Sequence, residues 1–302
     1  MLVKFAIQDF MDEREMMNLS ESTLKAYSIF FKEFQTWLRE NDILDIENVS
    51  TAHIKGYLVY CKKDRGNSPA TINNKLKNLR ALFNYLVECE YLTKNPCYKV
   101  VKQKTDNKIE VFTDLHIKQM LRYYRRLKRK DHEYTAYRNS AIIVTLLGTG
   151  LRIGELRNLK WFDITDTQLI IYGKNRTQES VPLTDRVKEE LEDLRLYCSR
   201  YFEQMPDYIF ANRNGSQMSY EATKSVFKRL QDVMGFEDVR LSAHTFRHTF
   251  AHRYIMNGGD VFSLQKILRH KSLSMTEKYL AMWGTALHAQ NEKYNPLNNM
   301  DI

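Results

Sequence analysis

Apolar side chains recur at steps of three and four through the first hundred residues, and this spacing limits the region to helices. Ser20 precedes one such stripe as an N-cap, and Pro69 suits the first turn of the helix that carries another. The two stripes comprise Leu24, Tyr27, Phe30, Phe31, Phe34, Trp37 and Leu38, and Ile72, Leu76, Leu79, Leu82, Phe83 and Leu86. We therefore predict a helical unit in this part of the chain.

The chain has 302 residues, a length that suits two domains better than one. Between Lys94 and Phe112 the helical spacing is lost, and Pro96 and several lysines take its place, as in a solvated linker. Helical spacing resumes after Thr113-Asp114, a pair typical of an N-cap. We predict a helical domain at 1–98, a basic linker at 99–111 and a second domain at 112–302.

One part of the second domain has the pattern of strands rather than helices. Residues 168–172 predict a strand, 173–176 a turn and 179–182 the returning strand. A third short strand is expected at 207–210. The predicted fold class is therefore mainly α with a small antiparallel β-sheet, an α+β protein.

The charge balance favours a polyanionic partner. Lys and Arg number 46 against 37 Asp and Glu, which gives a formal net charge of +9. Neutralising phosphates with such charges releases counterions and so drives binding to nucleic acid. A basic protein without such a partner fits the same composition, so the charge alone decides little.

The cysteines and the apolar runs indicate the cellular compartment in which the protein is expected. The four cysteines form no CxxC pair, which disfavours structural zinc, and scattered thiols fit a reducing cytosol. The N-terminal segment MLVKFAIQDFMDERE lacks the apolar stretch of a signal peptide. No apolar run approaches the ~18 residues of a membrane span. We expect a cytoplasmic, nucleoid-associated protein with no membrane partner.

Arg152 follows a glycine-rich turn between two predicted helices. The start of the second helix concentrates positive potential that attracts an anion, and an arginine adds paired hydrogen bonds to a phosphate. Glu155, three residues later, is placed to hold the guanidinium or a neighbour. An ordinary helical corner with a surface arginine is the alternative interpretation.

Two further segments carry basic or nucleophilic groups. His244 and Arg247 are three residues apart, so a helix places both on one face, where they offer phosphate-directed donors. An exposed basic helix face explains them equally well. His270 ends another predicted helix, and Thr276 and Tyr279 share a face of the next. One tyrosine among 18 has no claim to chemistry by itself.

Lys174 lies at the tip of the predicted hairpin. A lysine in that position is normally solvated. A mobile tip would also be able to place its ammonium against a leaving oxygen as a general acid.

In this order, the four segments resemble those of the tyrosine recombinase (phage integrase) family. The matching strings are GTGLRIGELRNLKW, GKNRTQESVPL, HTFRHTFAHRYIMNGG and LRHKSLSMTEKYL. The resemblance is close over about the last 190 residues. The first unit matches by size, helical character and position, as a SAM-like core-binding domain in front of a catalytic domain. This is an Xer-like two-domain layout.

The resemblance implies a mechanism. Tyr279 would attack the scissile phosphate and form a 3′-phosphotyrosyl bond, leaving a 5′-hydroxyl. Arg152 and Arg247 would hold the non-bridging oxygens and stabilise the transition state, and Lys174 would protonate the leaving oxygen. The family needs neither a metal nor ATP, so no cofactor is expected.

Two histidines complete the implied site, and two positions depart from the family's usual pattern. His244 would act in proton transfer, and His270 would hydrogen-bond the phosphate. Arg269 stands where the family has a small residue, so it either shifts His270 or faces DNA. The hairpin has Gln178-Glu179-Ser180 where the family more commonly has basic residues. Lys174 itself is present in this sequence.

The resemblance also implies partners. Two domains would enclose duplex DNA at specific sites, and subunits would assemble as a tetramer by exchanging a C-terminal segment, here the residues after about Gly284 with Leu287, Tyr294 and Leu297. An accessory directionality factor would be a further partner. Residues proposed to contact DNA from the first domain are Lys25, Lys75, Lys77 and Arg80.

Two alternatives share this fold. One is a DNA-binding regulator that has kept the fold without recombining, although all six catalytic positions are filled. The other is a type IB topoisomerase-like relaxing enzyme, which the two-domain layout disfavours. The target sequence and the biological role (integration, excision, transposition, resolution or inversion of mobile DNA) stay open at this point.

Overall fold

A computed structural model describes residues 1–105, 109–130, 132–172 and 178–280, apart from the side chains at 278 and 280. It divides into two compact units, Met1–Asn107 and Lys108–Ile302. Lys174 and the expected exchange segment after Gly284 lie outside the described residues. Among the helices in the described ranges, none is both long and apolar enough to cross a membrane.

The described residues of the first unit form four α-helices and one short 3-10 helix, Ile46–Asn48. The α-helices are α1 (Val3–Met16), α2 (Glu21–Glu40), α3 (Thr51–Lys63) and α4 (Pro69–Glu88). Ser68 caps α4 by accepting a hydrogen bond from the Thr71 amide, and Pro69 occupies the first turn, as predicted. The predicted stripes meet in one core, in which Phe30, Phe31 and Leu86 are buried.

The predicted linker is anchored to the first unit at its N-terminal end. Val100 is buried in the core of that unit. The side chain of Asn73 on α4 exchanges two hydrogen bonds with the main chain of Gln103, at 2.8 and 2.9 Å. These contacts order the residues that follow Pro96 without any helix.

The second unit contains eight helices and one hairpin in its described residues. The helices are α5 (Asp114–Lys130), α6 (Tyr134–Thr149), α7 (Ile153–Asn158), α8 (Asp185–Tyr201), α9 (Tyr220–Met234), α10 (Ala243–Met256), α11 (Val261–Leu268) and α12 (Ser274–Leu280). The strands are β1 (Gln168–Tyr172) and β2 (Gln178–Pro182). They pair antiparallel, with Gln168 opposite Pro182. The predicted fold class, mainly α with a small antiparallel sheet, is confirmed.

The predicted third strand at 207–210 is wrong. Tyr208 forms a single isolated bridge with Lys160, and the next bridge joins Ala211 to Gln217. The carbonyl oxygen of Asp207 accepts a hydrogen bond from the Trp161 amide at 3.1 Å, and the Ile209 amide donates to the carbonyl oxygen of Leu159 at 3.0 Å. Because the backbone at 207–209 pairs with this short segment before β1, it does not add a third strand to the hairpin.

Helix α6 is the centre of the second unit. It packs against α5, α8 and α10, and its residues from Ser140 to Leu146 are all buried. It ends at Gly150, whose φ of +62° is left-handed. A Cβ there would lie 2.6 Å from the ring of Phe250, so only glycine fits. The chain therefore leaves the core at a fixed point, two residues before Arg152.

Candidate active site

Arg152 sits at the N-cap of α7, directly after the glycine turn. Its main-chain amide donates to one carboxylate oxygen of Glu155 at 2.7 Å, and its Nη1 donates to the other at 2.8 Å. The expectation that Glu155 holds this guanidinium is confirmed. The Arg152 side chain remains 39% exposed, so it can still meet a ligand.

Arg247 lies on α10 and is only 5% exposed. Its Nη1 donates to the carbonyl oxygen of Gly150 at 2.7 Å, and its Nη2 donates to the carbonyl oxygen of Leu268. These bonds join α10 to the ends of α6 and α11. Among the described residues, no carboxylate lies within ion-pair distance of it. Burial, with a contribution from the neighbouring charge of Arg152, lowers the pKa of Arg247 to about 10.

Arg269 departs from the expectation that it faces DNA. Its side chain is 4% exposed, and its Nη2 donates to Glu155 at 2.6 Å. Its Nε lies 3.6 Å from the carboxylate of Glu179 on β2. Its carbonyl oxygen accepts a hydrogen bond from Arg152 at 3.1 Å. The alternative in which Arg269 faces DNA is therefore wrong, because its side chain is buried against Glu155 where the chain turns at the end of α11 with a φ of 53°.

Glu155 is the carboxylate that Arg152 and Arg269 share. Burial by itself would raise the pKa of Glu155, but Arg269 and Arg152 outweigh burial, so the pKa lies below its ordinary value. The carboxylate is therefore charged at neutral pH. It fixes Arg152 and Arg269 relative to each other.

Tyr279 lies on α12 with its side chain buried, 1% exposed. It packs in a small apolar cluster with Ala251, Ile255, Leu264 and Leu268. Burial raises the pKa of Tyr279 to about 12, although the nearby charge of Arg247 acts in the opposite direction. The phenol is thus overwhelmingly protonated at neutral pH.

The phenol of Tyr279 contacts a residue that the sequence patterns did not single out. Its oxygen lies 2.7 Å from Nδ1 of His248, one helical turn after His244. The rings of the two histidines have centroids 6.1 Å apart. The i,i+4 spacing of His244 and His248 was the signal in the sequence, but no spacing rule links either residue to a tyrosine about 30 positions away.

His244 and Arg247 differ in exposure although they are three residues apart. His244 is exposed near the N-terminus of α10, where Ser242 caps the helix by accepting from the Thr245 amide at 3.1 Å. Arg247 points into the interior. The exposed histidine thus marks the solvent side of the site, and the buried arginine marks its base.

His270 follows α11 and is buried. Its Nδ1 lies 2.8 Å from the hydroxyl of Thr276. Thr276 and Tyr279 are both buried on α12, as the predicted shared face requires. The hairpin tip with the candidate Lys174 lies outside the described residues, so its position relative to this site is not described.

The proposed DNA contacts of the first unit fall into different environments. Lys25 and Lys77 are exposed. Arg80 is half-buried and donates to the carbonyl oxygen of Val100. The prediction that Lys75 contacts DNA is corrected by the structure. Lys75 is 9% exposed, and its ammonium lies 2.8 Å from both carboxylate oxygens of Glu33. The two charges therefore neutralise each other inside the unit.

In the part of the chain that the structure describes, no three His, Cys, Asp or Glu side chains converge as a metal site requires.

Two arginines, three histidines and a buried tyrosine on a helical scaffold define a site suited to a phosphodiester. A model of the phage integrase family matches residues 110–283, and a model of the N-terminal SAM-like domain of phage integrases matches residues 7–93. The first match alone covers more than half of the 302 residues. The chain therefore belongs to the phage integrase family of tyrosine recombinases.

Individual proteins resemble the chain over nearly its full length. The tyrosine recombinase XerD of Oceanobacillus iheyensis is 26% identical over 98% of this chain and 99% of its own length. A tyrosine recombinase of Pseudothermotoga lettingae is 29% identical over 97% of each. A crystallised lambda integrase dimer bound to a COC′ core site is 21% identical, with a TM-score of 0.73 over 91% of this chain and 97% of that one. The structural likeness supports the fold.

Proposed function

We propose that this protein is a site-specific recombinase that cuts and rejoins duplex DNA through a 3′-phosphotyrosyl bond to Tyr279. The observation that carries the proposal is the convergence of Arg152 and Arg247 on one loop system, formed by the ends of α6 and α11. Glu155 and the carbonyl oxygen of Arg269 hold the Arg152 guanidinium there, and two backbone carbonyl oxygens hold that of Arg247. Tyr279 lies close enough for the charge of Arg247 to act on its phenol.

The charge around these arginines favours an anion. Arg152, Arg247 and Arg269 are opposed by Glu155 and by the more distant, half-exposed Glu179. A phosphate would supply the missing negative charge, and its non-bridging oxygens suit the paired donors of arginine. Donors placed in advance stabilise the extra charge of a pentacoordinate transition state.

The proposed reaction conserves the phosphodiester bond energy. The Tyr279 oxygen attacks phosphorus, a P–O5′ bond breaks, and the phosphate is carried on the tyrosine. Lys174 protonates the leaving 5′-oxygen, His244 assists proton transfer, and His270 hydrogen-bonds the phosphate. Attack by a 5′-hydroxyl of a second strand then reverses the steps and releases Tyr279.

The burial of Tyr279 adds a requirement. A phenol that is 1% exposed cannot meet a phosphate until some of the groups that cover it move. DNA binding is therefore proposed to open the cover of the site before the first cut.

The proposed partner is double-stranded DNA at specific sites, with four subunits assembled on two sites and, in some reactions, an accessory directionality factor. The linker at 99–111 and the exposed Lys25 and Lys77 are proposed to follow the phosphate backbone. The setting is a mobile element in the cytoplasm, at the nucleoid. A regulator that only binds DNA is not favoured, because the named relatives are recombinases.

The test begins by selecting the binding site from a random duplex library with the purified full-length protein. A nicked suicide duplex carrying that site should then trap a covalent protein–DNA adduct. Tyr279→Phe should bind the duplex with the same affinity and form no adduct. Binding without an adduct by the wild type would remove the recombinase and leave the regulator. Relaxation of supercoiled DNA of any sequence by single subunits would instead indicate a topoisomerase.

A further inference from the structure

We infer that His248 is a catalytic residue, the base that takes the proton from Tyr279 as the phenol attacks DNA. This inference rests on the proposed function and adds a residue to it. The evidence is a direct contact with the reacting atom: Nδ1 of His248 lies 2.7 Å from the phenol oxygen of Tyr279, within hydrogen-bond distance. The ring planes are inclined by 57° with centroids 5.7 Å apart, so the two rings do not stack.

The environment of Tyr279 makes a base necessary. Its pKa of about 12, raised by burial, leaves on the order of one phenol in 10⁵ ionised at pH 7. A neutral phenol is a weak nucleophile, and a positioned base typically accelerates such a step by about 10²–10⁴. An imidazole is suited to this because it exchanges its proton near neutral pH.

The arginine beside the phenol has a different task. Arg247 donates to the carbonyl oxygens of Gly150 and Leu268 and is a proton donor only, so it can stabilise a phenolate but cannot accept its proton. His248, half-buried on the same helix, can accept it. His244, whose ring is 6.1 Å away, is exposed and gives the site a second titratable group on its solvent side.

The proton balance closes in both directions. During cleavage the proton of the Tyr279 hydroxyl moves to Nδ1 of His248, the phenolate oxygen bonds to phosphorus, and the 5′-oxygen leaves with a proton from the proposed general acid Lys174. During rejoining a 5′-hydroxyl returns its proton to Lys174 as its oxygen bonds to phosphorus, the Tyr279 phenolate leaves, and the phenolate regains its proton from His248. No metal, oxidant or further reactant enters either step.

A second interpretation of the same contact is a latch that keeps the phenol away from DNA. The two interpretations predict opposite effects on the cleavage rate. Loss of a latch accelerates the first cut, whereas loss of a base slows it.

The experiment measures single-turnover adduct formation on the selected nicked duplex as a function of pH. His248→Gln keeps a hydrogen-bond acceptor but cannot take a proton, and it should cleave about 100-fold more slowly at pH 7. Its rate should keep rising with pH towards the titration of the phenol, while the wild-type rate levels off above the titration of an imidazole. His244, Arg247, Arg269 and His270 are common to both proteins, so their charges cancel in the comparison.

A rescue and a matched control separate chemistry from folding. His248→Ala should recover part of its rate when imidazole is added, which a merely structural defect would not do. His252→Gln, one turn further along α10, should cleave like the wild type. DNA affinity and thermal unfolding of all three variants should match the wild type.

Three results would overturn the inference. They are a wild-type rate and pH profile in His248→Gln, faster cleavage by His248→Ala, and an absence of imidazole rescue in a folded variant. If the variants do not fold, the otherwise wild-type chain with 3-fluorotyrosine at 279 serves instead. Its ¹⁹F resonance should shift as the neighbouring imidazole gains or loses a proton during a pH titration, and a response that is flat with pH would refute the contact. Failure of the wild type itself to form an adduct would remove the recombinase proposal and this one together.

Discussion

Each unit of this protein buries a cation, and the two are neutralised in different ways. In the first unit Lys75 meets both oxygens of Glu33 at 2.8 Å, so charge and counter-charge lie together. In the second unit Arg247 is held by two carbonyl oxygens, with no carboxylate in ion-pair distance among the described residues. Carbonyl dipoles position a guanidinium but do not neutralise its positive charge.

Under the proposed function, the difference distinguishes a structural cation, Lys75, from one that would bind a phosphate, Arg247. Burying an ion without a counter-ion costs free energy, which the depressed pKa of Arg247 records. A fold retains that cost where an anion arrives later, as a phosphate would in the proposed reaction. A paired cation such as Lys75 has no charge left for a ligand, which is why its basic character in the sequence misled the prediction of a DNA contact.

The largest effect is expected from Arg247→Lys. A lysine keeps the charge but loses the planar fork that donates to Gly150 and Leu268 at the same time. We expect adduct formation on the selected nicked duplex to fall about 10³-fold, with DNA affinity changed much less. A fall of less than tenfold would mean that this arginine holds the loops together and does not stabilise the transition state.

The matching change in the first unit is Lys75→Met. This change leaves the carboxylate of Glu33 without its cation. We expect the free energy of unfolding of the first unit, measured in urea, to fall by about 2–3 kcal/mol. This is less than for a fully buried pair because Glu33 is partly exposed. The double variant Lys75→Met/Glu33→Gln should recover most of the loss. If the double variant instead stays folded but stops binding DNA, Lys75 belongs to the interface and the comparison fails.

A smaller effect is expected from Arg269→Gly. Glycine accepts the positive φ at this position, so the turn should persist while the contacts to Glu155 and Glu179 are lost. Arg152 then has a less rigid carboxylate partner, and we expect cleavage to slow about tenfold at unchanged DNA affinity. Glu179→Gln, which leaves the Arg269–Glu155 pair in place, is the control and should change the rate less. Equal rates in all three proteins would assign Arg269 to stability alone.

The smallest effect is expected from Lys77→Gln. Lys77 is exposed on α4. Affinity falls as salt rises, and the loss of one phosphate contact should reduce the steepness of log affinity against log salt by about 1. The double variant at Lys75 and Glu33 should leave that slope unchanged. A change in slope for the double variant but not for Lys77→Gln would reverse the assignment of the two lysines.

The sequence predicted elements better than contacts. The helical stripes, the proline at the start of α4 and the β1–β2 hairpin follow from local rules of spacing and turn chemistry, and all of them are present. The prediction of a third strand in the sheet failed because the backbone at 207–209 pairs with Leu159 and Trp161, which lie before the hairpin in the chain. Local patterns contain no information about such distant partners.

The candidate site shows the same division. Local patterns made Arg152, His244 and Arg247 candidates but left ordinary surface roles open. The resemblance to a family gave them roles and singled out Tyr279 among 18 tyrosines. Neither indicated that Arg269 would turn inward or that His248 would touch the phenol. Both outcomes depend on where the ends of α10, α11 and α12 meet, and a single left-handed residue sets part of that geometry.

By itself, the sequence determined that this protein has a helical unit followed by a mainly helical one with a hairpin, and which basic residues and tyrosine to consider. Periodicity and turn residues act over a few positions, so the chain encodes them locally. Only the tertiary structure decided which cations are neutralised and which retain their charge. That depends on carboxylates and carbonyls brought from distant segments, as Glu33 is to Lys75 and as Leu268 is to Arg247.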